Sequence, residues 1–196
     1  ALPWLSHQVP LVLSLHDAWL LSGHCAHSLD CERWRTGCGQ CPDLSLPPAV
    51  PRDETAYNWR RKRDIYANSR FYIVTPSHWL MEKVKQSALK MGMIDGQVIP
   101  NGVDLVLFHS SDKRQVRLEL GLPADVLVVL FVNQGSWRDY ELATKTIERL
   151  QLVEKPNRPV MILCLGSFLN VQEVGKCRVL FVSNQSTEDI ARFYQA

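Results

Sequence analysis

Phe71-Tyr72-Ile73-Val74 is a short apolar run that passes through Thr75-Pro76-Ser77 into Trp79-Leu80 and a stretch with helical spacing over residues 79–89. An apolar run of this length, bounded by turn residues, suits a buried strand, and the step that follows suits a helix start. A strand feeding a helix is half of a β-α-β unit, so the reading predicts α/β structure.

Similar runs rich in Val, Leu and Ile occur at 9–15, 126–132, 160–165 and 179–182. Strands of this composition suit a parallel sheet buried on both faces. Helical patterns lie between several of them, at 54–67, 79–89, 113–120 and 141–152, with a last one from Thr187 onward. Alternation of this kind predicts a doubly wound α/β fold.

Two helix boundaries are marked in the residues themselves. Ser111 or Asp112 can cap a helix closed by Gly121 and Pro123, and Ser186 with Asp189 three residues later forms an approximate capping pattern. Ile99-Pro100-Asn101-Gly102-Val103-Asp104 reads as a turn at a domain seam. The predicted domains are therefore 1–104 and 105–196. No internal repeat or low-complexity tract is visible.

The 196 residues are 46% apolar and 21% charged, which excludes a disordered chain. A net charge of +2, from 22 basic and 20 acidic residues, gives no case for a polyanionic partner, and nucleic acid is not expected. No apolar run approaches the roughly 18 to 20 residues that cross a bilayer, and the opening Ala1-Leu2-Pro3-Trp4-Leu5-Ser6-His7 lacks the pattern of a signal peptide. A cytoplasmic location is the default expectation. The start at Ala1 and the stop inside a helical pattern at Tyr194-Gln195-Ala196 lead to the expectation of an internal segment.

Three stretches, in order, resemble GT-B glycosyltransferases of family 4: Leu15-His16-Asp17-Ala18-Trp19, Thr75-Pro76-Ser77-His78-Trp79-Leu80, and Val98-Ile99-Pro100-Asn101-Gly102-Val103-Asp104 with Phe108 following. Ser22-Gly23-His24-Cys25, Asp30-Cys31-Glu32-Arg33-Trp34 and Thr36-Gly37-Cys38-Gly39-Gln40-Cys41-Pro42 are similar to the cysteine-bearing insert of an exopolysaccharide-type subgroup. The resemblance covers nearly the whole chain, more weakly after about residue 130.

What the resemblance implies is two Rossmann-like domains, both incomplete here, with a cysteine-rich loop at 22–48 inserted in the first. The N-terminal domain would face a glycan or lipid-linked acceptor, and the C-terminal domain would hold a nucleoside-diphosphate sugar donor. The implied reaction is sugar transfer to a hydroxyl with anomeric retention, aided by stabilising the departing diphosphate. The family's two-glutamate donor-sugar motif and its opening glycine-rich loop are not in these residues, so the chain alone is expected to have little or no activity.

His16 and Asp17 follow a predicted strand, where the carboxyl ends of strands border the ligand crevice of open α/β sheets. An imidazole or carboxylate there can bond sugar hydroxyls or diphosphate; a plain strand-end turn with a core Trp19 is the rival reading. Ser77 reads first as a helix cap. Asn101 and Gly102 are candidates for donor contact because glycine permits close backbone approach and asparagine both donates and accepts. In the loop Asn133-Gln134-Gly135-Ser136-Trp137-Arg138-Asp139, Gly135 and Arg138 are the candidates that the resemblance implies for the donor diphosphate, since a guanidinium forks onto phosphate oxygens.

Cys25, Cys31, Cys38 and Cys41 are separated by five, six and two residues. They can supply four thiolates to one tetrahedral zinc that braces a polar, glycine-rich loop. Free thiols are the second reading and a redox pair the third; His24 or His27 can replace one sulfur. Cys164 reads as core packing, and no catalytic metal is expected. Arg60-Arg61-Lys62-Arg63 reads as a solvated helix face, with anionic lipid or a phosphorylated acceptor as the functional alternative. Two other function classes compete with the transferase: a zinc-stabilised binding module, and a non-catalytic scaffold derived from a transferase.

Overall fold

A computed structural model describes residues 1–133, 145, 146, 149, 159–166, 173, 174, 177–182 and 185–196. The chain forms mixed α/β structure in two compact units, Ala1–Gly102 and Val103–Ala196.

In the first unit, helix α1 (Leu2–Ser6) starts on Pro3, and Ser6 Oγ donates back to the Pro3 carbonyl at 2.8 Å. The strand predicted over 9–15 is shorter than expected: β1 is Val12–Ser14. Pro10 carries no N–H for a ladder, so pairing opens with Tyr72 N–H donating to the Leu11 carbonyl at 2.8 Å. Helix α2 (Thr55–Ala67) leads to β2 (Phe71–Thr75), and α3 (His78–Gln86) to β3 (Met93–Val98). The three strands form a parallel sheet in the order β1-β2-β3, with Leu13 opposite Ile73 and Ile73 opposite Gly96.

The central strand is not buried on both faces, as its composition predicted. Phe71, Ile73 and Thr75 are buried, whereas Tyr72 is 42% exposed and stands beside the exposed Val12. The buried face meets Leu80, Val84 and Leu89, together with Leu21 and Trp34 from the long segment before α2. Strand β3 was not legible as an apolar run because Asp95, Gly96 and Gln97 interrupt it. A Cβ at Gly96 would come within 2.9 Å of Met81 Cε, the flexible end of that side chain, so a larger residue there would displace Met81. The helix predicted over 79–89 breaks at Ser87, whose hydroxyl accepts from Leu89 N–H at 3.2 Å and restarts the chain as a 3-10 turn, Ala88–Gly92.

In the second unit, Asp112 caps helix α4 (Lys113–Glu119) by accepting from Arg114 and Gln115 N–H groups, and Gly121 follows at φ +66°. Strands β4 (Leu127–Asn133), β5 (Val160–Gly166) and β7 (Cys177–Val182) are parallel, and the short β6 (Glu173–Val174) pairs antiparallel with β7 at the edge. Strand β5, between β4 and β7, is buried from Val160 through Leu165, as expected for a central parallel strand. Helix α5 (Thr187–Gln195) opens with a full capping box between Ser186 and Asp189 and packs Phe193 against Leu163 and Leu165. The helix predicted over 141–152 lies for the most part outside the described residues.

Candidate functional site

The parallel sheet of the first unit sends three predicted site segments to one edge. Ser14 ends β1 opposite Val74, and Leu15 N–H then donates to the Val74 carbonyl at 2.9 Å. Thr75 ends β2 opposite Val98, and Ile99 N–H donates to the Thr75 carbonyl at 2.9 Å. His16-Asp17, Pro76-Ser77 and Pro100-Asn101-Gly102 therefore leave the sheet side by side at its carboxyl edge, where α/β sheets bind ligands.

Of these groups, His16 is exposed and Asp17 partly buried. Asp17 Oδ1 accepts from Trp19 N–H at 2.8 Å, an Asx turn that shapes the loop while leaving Oδ2 open. Ser77 caps α3, its hydroxyl accepting from Leu80 N–H at 3.3 Å, and Thr75 Oγ1 donates to the Ser77 carbonyl at 3.0 Å. Asn101 and Gly102 are exposed, and a Cβ added at Gly102 meets nothing within 4 Å. Among the described residues, then, no contact demands glycine at position 102. Gly135 and Arg138 lie outside the described residues.

Sequence reading missed Lys62, which it placed on a solvated face with its basic neighbours. Lys62 is half-buried, and Nζ donates to the carbonyls of Trp19 at 2.5 Å and Ser22 at 3.0 Å. Its ammonium also stands 3.7 Å from the centroid of the Trp19 ring, and that indole is 43% exposed rather than core. Burial outweighs the nearby Cys38, Cys25 and Asp17 and pulls its pKa down to about 8. A signal was present: Thr55, Trp59 and Tyr66 are buried on α2, and Lys62 falls on the same face at helical spacing. The run at 60–63 thus mixes one inward lysine with outward arginines.

The cysteine loop lacks strands, and its regular element is the 3-10 turn Arg33–Arg35. It is anchored by Trp34, which is 2% exposed and accepts from Trp59 Nε1 at its carbonyl, 2.9 Å away. Arg33 donates to the Gly39 and Gln40 carbonyls, and Lys83 to Ser28 Oγ at 2.9 Å. Cys25, Cys31, Cys38 and Cys41 are all free and partly buried. Gly23 N–H donates to Cys38 Sγ at 3.2 Å, and Cys41 Sγ lies 3.4 Å from His24 Nε2.

Burial, with smaller repulsions from Cys25, Cys31 and Cys41, raises the Cys38 thiol to about 11, and burial likewise raises Cys41. These are protonated, unactivated thiols as they stand. Among the described residues, no three His, Cys, Asp or Glu side chains are arranged to hold a metal ion. Asp53 ties the loop to α2: it accepts from Thr55 Oγ1 and N–H and from Cys41 N–H, bonds that hold its carboxyl down at about 2. Beside it, His24, Arg52, Glu54 and Tyr57 line an open groove of about 510 Å³.

No protein-family model matches the chain. Over 58 residues, 30% of this chain, it is 41% identical to the putative colanic acid biosynthesis glycosyl transferase WcaC of Escherichia coli (strain K12). The match spans 14% of that protein, so the likeness is to a part of a glycosyltransferase. Among the described residues, no helix is long and apolar enough to cross a membrane.

Proposed function

We propose that the chain is a segment of a retaining GT-B glycosyltransferase of family 4 that moves a sugar from a nucleoside-diphosphate sugar to a hydroxyl acceptor in exopolysaccharide or surface-glycan synthesis. The observation that carries this reading is the 41% identity over 58 residues to a colanic acid glycosyl transferase. The convergence of His16, Asp17 and Asn101 at one sheet edge supports it, because that edge is where such folds take ligands.

In this reading the first unit serves the glycan or lipid-linked acceptor and the second the donor. Asp17, its Oδ1 already engaged by Trp19 N–H, offers Oδ2 to a hydroxyl, and the exposed His16 offers an imidazole donor or acceptor. Arg138, from the same stretch of sequence as Gly135, meets the donor diphosphate and offsets the charge that builds as the sugar leaves. Asn101 and Gly102 are further candidates for donor contact. The chain alone has little turnover, because the two-glutamate donor-sugar motif is not among its residues.

The test is a thermal-unfolding screen of the purified chain against a panel of nucleoside diphosphates and their sugars. A rise in midpoint with at least one diphosphate, absent with the corresponding nucleoside, is expected. No shift with any member of the panel would leave a non-catalytic scaffold as the better account.

A further inference from the structure

Four thiols on one 17-residue stretch are more than a core requires, and their surroundings suggest what they share. Cys38 and Cys41 bracket Gly39 and Gln40, which stand at φ +141° and +47°, with Gly37 at +150° just before them. This left-handed path turns the chain sharply between the two cysteines, and Cys41 N–H donates to Asp53 Oδ2 at 2.7 Å just before α2. From the facing segment, Gly23 N–H points at Cys38 Sγ from 3.2 Å, a contact that favours a thiolate. Cys25 is two residues further along that segment, and Cys25 and Cys31 lie near enough for their charges to act on both Cys38 and Cys41.

On the other side of Cys41, His24 is 4% exposed and bridges two partners: Nε2 is 3.4 Å from Cys41 Sγ, and Nδ1 is 3.2 Å from the Pro48 carbonyl. A buried imidazole held between a sulfur and a backbone carbonyl is the kind of outer partner that orients a metal-bound thiolate. The donors are all soft sulfur, which suits zinc and not the oxygen-seeking calcium or magnesium.

We propose that Cys25, Cys31, Cys38 and Cys41 bind one structural zinc ion, with His24 bonded to the Cys41 sulfur as its outer partner. The thiols are not gathered on a common point before the metal enters, so binding turns their side chains inward. Each thiol gives up its proton as its sulfur bonds to Zn²⁺: three protons pass to solvent and that of Cys41 passes to His24 Nε2, so the imidazolium donates to the Cys41 sulfur through Nε2–H and to the Pro48 carbonyl through Nδ1–H, and no electron is transferred. With four protein ligands and no open position, the ion is structural: it fixes residues 25–41, already pinned at Trp34, against the start of α2. The site does not depend on the transferase reading.

The test is zinc content of the purified full chain, followed by removal of zinc and titration with Co²⁺ in the absence of any nucleotide. About one zinc per chain is expected, and the cobalt form should show the intense visible bands of tetrahedral thiolate coordination. Serine at any of the four positions should weaken cobalt binding by more than tenfold, His24→Ala by about tenfold to a hundredfold, and Cys164→Ser, in the second unit, not at all. A chain that purifies without zinc and gives no thiolate-cobalt spectrum overturns the proposal, and the unmutated protein decides this even if a serine variant fails to fold. A Cys38–Cys41 disulfide in freshly purified material would overturn it in favour of a redox pair. Since no nucleotide is present, failure here is separate from failure of the donor-binding test.

Discussion

Lys62 Nζ stands 3.7 Å from the centre of the Trp19 indole and donates to the carbonyl of the same residue at 2.5 Å, so one helix residue holds both the ring and the backbone of the loop that follows β1. The Asp17 turn and the Ser22 carbonyl are part of the same fixture. Lys62→Ala should therefore lower stability by about 2 kcal/mol in urea unfolding, and make residues 17–25 a preferred site of limited proteolysis. Lys62→Arg should not restore it, because the fork of a guanidinium does not fit where a single ammonium meets two carbonyls and a ring. A change below about 0.5 kcal/mol would place Lys62 among ordinary surface lysines.

Gly23 lies against the first residue of α2. A Cβ there would stand 2.6 Å from both Thr55 Cβ and the Thr55 carbonyl oxygen, and the second of these is backbone that cannot swing aside. Gly23→Ala is expected to destabilise the first unit by about 3 kcal/mol, with loss of the Gly23 to Cys38 contact. Near-UV circular dichroism and urea unfolding of the variant check this; an unchanged midpoint would contradict it.

Arg117 is 6% exposed: Nε donates to a main-chain oxygen of the terminal Ala196 at 2.7 Å, and Nη1 to the carbonyls of Ala124 at 2.9 Å, Val126 at 3.0 Å and Pro123 at 3.4 Å. It joins the ends of α4 and α5 to the approach of β4 through backbone acceptors. Arg117→Lys, with one donor centre in place of a fork, should cost about 2 kcal/mol. Arg117→Leu should cost at least as much, since it leaves those carbonyls unpaired. Thermal unfolding of the two variants gives the comparison.

Cys164 in β5 is 1% exposed, and burial raises its thiol to about 11 from an ordinary 9.0. Between these values the unfolded chain has lost the proton and the folded chain has kept it. The contribution is whole below about pH 9 and falls away as pH rises towards 11. Cys164→Ala should lose that component of the alkaline decline while paying a small cavity penalty at neutral pH. Parallel denaturation series from pH 7 to above pH 10 test it, and identical slopes for the two proteins would refute it.

Much of this architecture was legible. The runs at 126–132 and 160–165 became β4 and β5 almost residue for residue; β5 is apolar throughout because it is buried between two strands, whereas β4 stands at the edge of the described sheet with Leu127 and Val132 exposed. The caps at Asp112 and Ser186 were legible because a short oxygen-bearing side chain at a helix start has one dominant use. Strand β3 was hidden because it sits at the sheet edge, where Asp95 and Gln97 face solvent and pairing with β2 decides its form. Tyr72 was misread as buried because the helices that cover β2 pack on one face only of the described sheet.

At the site, the strand-end position of His16 and Asp17 followed from the apolar run before them. The placement of Asn101 at the same edge could not be seen until β3 was known to pair with β2. Lys62 was overlooked for a different reason: charge was read along the chain, while burial on a helix follows its turn.

The most direct test of the transferase reading is calorimetric titration of the purified chain with a panel of nucleoside diphosphates, repeated with Arg138→Ala. The account predicts saturable binding of at least one diphosphate, weakened about tenfold or more by the substitution, the size of one charge-assisted hydrogen bond. No heat of binding from any diphosphate, or binding that Arg138→Ala leaves unchanged, would contradict it.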